Sequence, residues 1–289
     1  MNKFDLGLPK FEDTLFSTEE QRQEARLEKV MKIPISEIHD FKQHPFHVRM
    51  DEDMVKLIDS VKENGVLMPA LVRPDKNGGY EMVSGHRRKF ALEQNGITEI
   101  DAIVRELDDD QATIIMVDSN IQREHILPTE RGFAYRMKLE AMKRQGKRTD
   151  LTSYQNETKL RSDEILSRQV GESRAQVQRY IRLTELIPEL LDMVDAKKLN
   201  FTIAVDISYI DKEMQKWIYE YIRDTGFIKP KQITALRKQL EEGPVNQGFM
   251  ISIFNSCIVV KAPERKWCYQ ERSLQNIFRK TIRKRIWKR

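Results

Sequence analysis

Two stretches of this chain carry side chains suited to chemistry on anions. The first is Val83-Ser84-Gly85-His86-Arg87-Arg88, which follows an apolar β-type run and opens a helical one. Free backbone amides at a helix start attract an anion, and a glycine at such a junction lets a ligand approach the backbone. Adjacent arginines add forked donors that match phosphate oxygens. The pattern equally suits a glycine cap followed by solvated arginines, so both readings stand at this point. The second stretch, residues 163–182, reads DEILSRQVGESRAQVQRYIR. Ile165, Leu166 and Val170 belong to a first helix, Gly171 stands where the chain must turn, and Ser173 can cap a second helix. Val177, Tyr180 and Ile181 then face inward. Arg174, Gln176, Gln178, Arg179 and Arg182 are left for solvent or DNA, with Ser173 beside them at the N-terminal end. Arginine and glutamine near the start of such a helix read guanine and adenine edges in the major groove. A solvated helical hairpin is the competing reading, but residues 130–185 hold 13 Lys/Arg against 8 Asp/Glu, which favours nucleic acid.

The elements that must position these residues follow from periodicity. Residues 1–30 read as a charged tail, with Ser17 and Glu20 able to form a capping box for a helix to about residue 30. Residues 31–105 alternate short strands (31–38, 70–73, 80–83, 100–105) with helices (51–64, 85–95). Met54, Leu57, Ile58 and Val61 share one face of the first helix, and Gly65 ends it. From residue 108 the pattern is helical: 108–120, 128–144 with a break at Gln145-Gly146, a polar loop over 147–161, then 163–170, 173–183, 188–196, 202–210, 212–224 and 230–240. After Gly243 the composition turns β-type, in Ile251-Ser252-Ile253-Phe254 and Ile258-Val259-Val260.

The expected fold class is therefore α+β: a small mixed-sheet N-terminal domain over residues 31–126, then an all-α domain with a helix-turn-helix over 127–242. Residues 243–289 form a small C-terminal segment, expected to dimerise, and a basic tail. No apolar run is long enough for a membrane span, and Met1-Asn2-Lys3-Phe4-Asp5 lacks the apolar core of a secretory signal. Cys257 and Cys268 make neither a disulfide scaffold nor a zinc pattern, which points to a reduced, cytoplasmic protein. The net charge is +5, yet residues 265–289 carry ten Lys/Arg and one acid, so the tail supplies the basic balance.

Around the Gly-Arg box stand three more segments: Gln43-His44-Pro45-Phe46-His47-Val48-Arg49, Gly65-Val66-Leu67-Met68-Pro69-Ala70-Leu71-Val72-Arg73, and Ser119-Asn120-Ile121-Gln122-Arg123-Glu124. Their order and spacing over residues 31–240 resemble the ParB partition-protein family. That family reads N-P-x-x-x-R, H-G-I-x-Q-P-x-x-V-R, G-E-R-R and E-N-x-Q-R-E, followed by a helix-turn-helix. The resemblance implies a dimeric, nucleoid-associated DNA-binding protein that loads on a palindromic centromere-like site. CTP with Mg2+ closes its N-terminal domains into a clamp, and a ParA-like ATPase meets the N-terminal tail. It also implies that Gly65, Pro69 and Arg73 line the nucleotide pocket, that Gly85, His86, Arg87 and Arg88 surround the triphosphate, and that Asn120 is the metal ligand. The family's two carboxylates are His86 and Ser119 here, which leaves CTPase activity uncertain. Near a triphosphate, His86 is expected to become imidazolium. A CTP-independent transcriptional repressor on the same scaffold is the alternative. Sulfiredoxins share this scaffold with a G-C-H-R loop, but here Gly85 holds the place of the thiol, so thiolate chemistry is excluded.

Overall fold

The structure, a computed structural model, describes residues 29–123, 126–149 and 161–257. The N-terminal tail helix, Ile258–Val260 as a strand, and the basic tail all lie outside them. Five strands, β1 (Val30–Pro34), β2 (Ile38–His39), β3 (Ala70–Pro74), β4 (Tyr80–Ser84) and β5 (Glu99–Val104), form one mixed sheet in the order β1-β5-β3-β4-β2. β1–β5 and β3–β4 pair antiparallel, whereas β3–β5 and β2–β4 pair parallel. Alternation along a strand sends neighbouring side chains to opposite faces. In β4, Met82 joins a core with Ile33, Val61, Val72, Leu92 and Ile100, while Val83 joins another with Phe41, Phe46, Met116 and Val117.

The first core is covered by α1 (Glu52–Asn64) and α2 (His86–Gln94). The Asp51 side chain accepts from the Met54 amide at 2.8 Å and caps α1. The second core is covered by α3 (Asp109–Ile121), whose start is fixed by a reciprocal capping box between Asp108 and Gln111. α4 (Pro128–Thr149) packs on α3 and carries Ala134 into the same core. It runs on through Gln145-Gly146, where the sequence pattern expects a break.

α4 also supports the helix-turn-helix, made of α5 (Ser162–Val170) and α6 (Arg174–Leu183). Tyr135 and Leu139 of α4 pack with Leu166 and Val177. A Cβ on Gly132 would lie 2.5 Å from the Tyr180 carbonyl oxygen, so the missing side chain sets how closely α4 and α6 approach. α7 (Pro188–Asp195) and α8 (Phe201–Ile207) follow, and α9 (Lys212–Thr225) crosses the point, at Tyr219/Glu220, where a second compact unit begins.

That unit holds α10 (Pro230–Glu242) and α11 (Gln247–Ser256). Gln232 is fully buried and donates to the Tyr221 hydroxyl and the Phe254 carbonyl, both at 3.1 Å. The β-type reading of Ile251-Ser252-Ile253-Phe254 is thus overturned: the segment is helix. Asn246 caps it by accepting from the Phe249 amide at 2.8 Å, and Met250 and Phe254 bury one face at i, i+4. Local β preference loses to that capped, half-buried face.

Candidate anion pocket and nucleic-acid interface

Gly85 sits at the strand-to-helix junction between β4 and α2 with φ 120°. A Cβ there would meet that of Ala70 at 2.9 Å, so both conformation and space call for glycine. Beside it opens a pocket of about 510 Å³, lined by Asp53, Leu57, Ser84, Gly85, Arg87, Arg88, Ser119 and Arg123. The sheet and α2 bring Gly85, Arg87 and Arg88, and the end of α3 brings Ser119 and Arg123.

The three guanidiniums differ. Arg87 makes a long ion pair with Asp51 at 3.7 Å and is otherwise open to the pocket. Arg123 lies 5.9 Å over the Phe46 ring; burial, and then the charge of Arg87, lower its pKa. Two cations that repel each other near a helix N-terminus are an arrangement that an anion would relieve. Arg123 stands in the segment 119–124, but composition gives no sign that it turns back to the pocket. Arg88 donates from Nη1 to the carbonyls of Met68 at 2.5 Å and Pro69 at 2.8 Å. Pro69 thus meets Arg88 through its backbone, and Gly65 ends α1 at φ 69° with open space around it; neither is among the residues that line the pocket.

Arg73 goes elsewhere. Its guanidinium pairs with Glu81 at 2.5 Å and Asp109 at 2.7 Å, donates to the Leu107 carbonyl, and lines a separate cleft with Phe41, Lys76 and Arg144. The expectation that it shares a pocket with Gly85 is corrected by this geometry: paired carboxylates on β4 and α3 hold it on the other side.

Asn120 is buried, 2% exposed, and donates from Nδ2 to the Met116 carbonyl at 2.7 Å and to Ser119 Oγ at 3.3 Å. Its Oδ1 is buried with no hydrogen-bond partner. A hard cation prefers such an oxygen, so the donor chemistry fits magnesium, with Ser119 Oγ as a neutral neighbour. No cluster of three or more His, Cys, Asp or Glu that could hold a metal occurs among the described residues.

His86 is buried, and its ring packs on that of His44 with centroids 4.0 Å apart. His44 Nδ1 lies 2.6 Å from the Phe46 carbonyl and donates to it, and both Nε2 atoms are buried without a partner. Burial first, then the neighbouring His44, pushes the His86 pKa down to about 3, against the pull of Asp40. Without a triphosphate beside it His86 is neutral, and nothing in the sequence announces the His44 stack. The unfolded chain therefore binds more protons than the folded one between about pH 3 and 6.5. Stability is expected to fall on acidification, by about 2 kcal/mol between pH 7 and pH 5 from His86. Denaturant midpoints at both pH values should show this slope, and His86→Phe should flatten it. An unchanged slope would assign the effect to another group.

In the helix-turn-helix, Gly171 is left-handed at φ 70°, and Ser173 caps α6 by accepting from the Gln176 amide at 3.2 Å. Ser173, Arg174 and Gln178 are exposed, and Gln176 is half-buried. Arg174 is also held by Asp163 at 2.5 Å. Arg179 donates to Thr202 Oγ1 at 3.1 Å and lies over Phe201. Arg182 donates to the Ser208 carbonyl at 2.9 Å and stacks 4.2 Å over Tyr209. The helix thus leaves Ser173, Arg174 and Gln178 exposed along one side of its first turns, whereas Arg179 and Arg182 are tied to residues of and after α8. Among the described residues no helix is long and apolar enough to cross a membrane.

Comparison with known proteins gives the family. Residues 19–121 match the ParB N-terminal domain and residues 149–242 the ParB HTH domain. The chromosome-partitioning protein Spo0J of Thermus thermophilus is 30% identical over 215 residues, 74% of this chain and 72% of that one. A C-terminally truncated ParB of Caulobacter crescentus, complexed to the centromeric parS site, is 24% identical over 72% of this chain and 99% of its own, with a TM-score of 0.42. The same protein complexed with CTP-gamma-S is 26% identical over 66% and 98%, with a TM-score of 0.31. With both domains present in order and the Spo0J likeness spanning most of each chain, this protein belongs to the ParB/Spo0J family of chromosome-partitioning proteins.

Proposed function

We propose that this protein binds a palindromic, centromere-like DNA site as a homodimer and takes CTP with Mg2+ in its N-terminal domain to clamp DNA during segregation. The observation that carries the nucleotide half is the pocket itself, in which Arg87, Arg123 and the glycine-opened start of α2 face one space. Asn120 Oδ1 is the oxygen that would hold magnesium, which when bound would supply positive charge to offset that of the phosphates. The DNA half rests on the exposed first turns of α6 and on family membership. Among its relatives, the Caulobacter crescentus protein has been seen with a parS site and with a CTP analogue.

Turnover is a separate matter. A carboxylate near the triphosphate can hold the metal or orient water, and such positioning is most of phosphoryl-transfer catalysis. Here Ser119 brings no charge, and a buried neutral His86 without a partner is a poor substitute. The protein is expected to hold CTP and hydrolyse it slowly, and His86→Glu with Ser119→Glu to raise turnover. Dimerisation is assigned to the C-terminal segment, and contact with a ParA-like ATPase to residues 1–30.

The test is CTP binding and DNA footprinting on one preparation. Protection that spreads beyond the specific site only with CTP supports the clamp. A footprint confined to the site and unchanged by CTP supports the repressor reading, and brisk DNA-stimulated hydrolysis would show that the missing carboxylates are dispensable.

A further inference from the structure

The turn that leads into α6 carries a negative charge. Glu172 stands between Gly171 and the Ser173 cap, two residues before Arg174. Its backbone is fixed, since its amide donates to the Ser167 carbonyl at 3.1 Å. Its side chain meets α4, where Arg131 donates from Nη1 to Oε1 at 3.0 Å. The arginines nearby in sequence, Arg168 and Arg174, are paired with Glu164 and Asp163 instead. Oε2 is buried and has no hydrogen-bond partner among the described residues, so Arg131 is the cation that answers this carboxylate.

Arg131 is itself held in place. The same Nη1 lies 3.4 Å from the Tyr180 hydroxyl, and the guanidinium sits 5.3 Å from the Tyr180 ring centre. Tyr180 in turn meets the buried Tyr135 edge-on, with centroids 5.8 Å apart. A partly exposed ion pair adds little to stability, so the effect of this one is to be sought in its field. Duplex DNA carries one negative charge per about 1.7 Å of its axis, and two residues span at most about 7 Å of chain. A carboxylate at position 172 is thus on the order of a Debye length, about 10 Å at 0.1 M salt, from the phosphates beside the bases that Arg174 would read.

We infer that Arg131 is a positioning residue for DNA binding: it holds Glu172 against α4 and cancels its charge, so that the turn into α6 meets the phosphate backbone without repulsion. The inference rests on the proposed reading of α6 as the helix that enters the groove. Arg131 touches no phosphate in this role and acts only through Glu172. A free carboxylate at the turn repels every sequence alike, so its effect is on affinity and not on base preference.

The test is titration of the full chain against two labelled duplexes, one selected from a random pool by the wild-type protein and one a scrambled version of it. Arg131→Ala should weaken both by about tenfold in about 50 mM salt, and the loss should shrink as salt rises and screens the freed carboxylate. Glu172→Gln in the same chain should restore both affinities to within about twofold of wild type, because no charge is then left to cancel. Arg131→Lys, which keeps the charge, should stay near wild type. Lys62→Ala, which removes an exposed cation from α1, should change neither affinity. If Arg131→Ala folds poorly, Glu172→Gln alone serves: it should tighten both duplexes by about threefold, since Arg131 is then an uncancelled cation. Failure of Glu172→Gln to rescue, with a salt slope lower by about one, would overturn the assignment and make Arg131 a phosphate ligand. Weaker binding by Glu172→Gln alone would make the bridge a matter of folding only, and an equal loss in Lys62→Ala would make it one of net charge. Wild-type protein that selects no duplex would sink the proposed DNA reading and this role with it, whereas selective binding that Arg131→Ala leaves intact sinks this role only.

Discussion

Replacing Arg174 and Gln178 together by alanine is expected to remove most specific DNA affinity and leave non-specific affinity largely in place. Each good side-chain contact with a base edge is worth about 1–3 kcal/mol of discrimination, so the pair should cost about 2–6 kcal/mol, on the order of thirtyfold to ten-thousandfold. Both residues are exposed on the first turns of α6, whose start is fixed by the Ser173 cap and whose distance from α4 is set by Gly132. Arg174 has a second attachment, its 2.5 Å pair with the nearly buried Asp163, so its loss also leaves a carboxylate short of a partner. Asp163→Asn is the control: it breaks the pair and keeps the reader. Arg182→Ala should behave differently, because that side chain bonds the Ser208 carbonyl and stacks on Tyr209. It should lower thermal stability and weaken all sequences alike. Titration of specific and scrambled duplexes at one salt concentration measures both effects, and an unchanged specificity ratio in the double variant would show that α6 is not the reader.

The contrast between Arg174 and Arg182 marks how far sequence alone reaches. Periodicity and caps give α1, α3, α5 and α6 nearly to the residue, because Asp51, Asp108, Gly171 and Ser173 act through local geometry. The strand alternation of β4 is likewise local. What is not legible is which neighbour a long polar side chain finds. Arg73 and Arg87 look alike in sequence, yet Glu81 and Asp109 claim the first, and only the loose Asp51 holds the second. His86 stands in sequence beside the box arginines, yet it is buried against His44, 42 positions away. α11 fails for the same reason. Its isoleucines favour a strand locally, and only the buried face presented by Met250 and Phe254 makes it a helix.

Asp118→Ala is expected to destabilise the protein by about 2–4 kcal/mol, although Asp118 is half exposed. The cause is its partner. Lys138 stands in the middle of α4, only 1% exposed, and its ammonium donates to Asp118 on α3. Removing the carboxylate strands a buried cation, which costs more than the pair itself contributes. The half-open position of Asp118 lets water approach, which holds the effect toward the lower part of that range. Lys138→Met should be nearly neutral, since a flexible apolar side chain of similar length fills the same space between helices. The double variant should then be close to Lys138→Met alone, giving a coupling energy of about 2 kcal/mol or more in a denaturant cycle. The pair joins the helix that carries Ser119 and Asn120 to the helix on which α6 rests. If the two single losses simply add, Lys138 is not stranded by the loss of Asp118, and the α3–α4 junction is held by its apolar contacts instead.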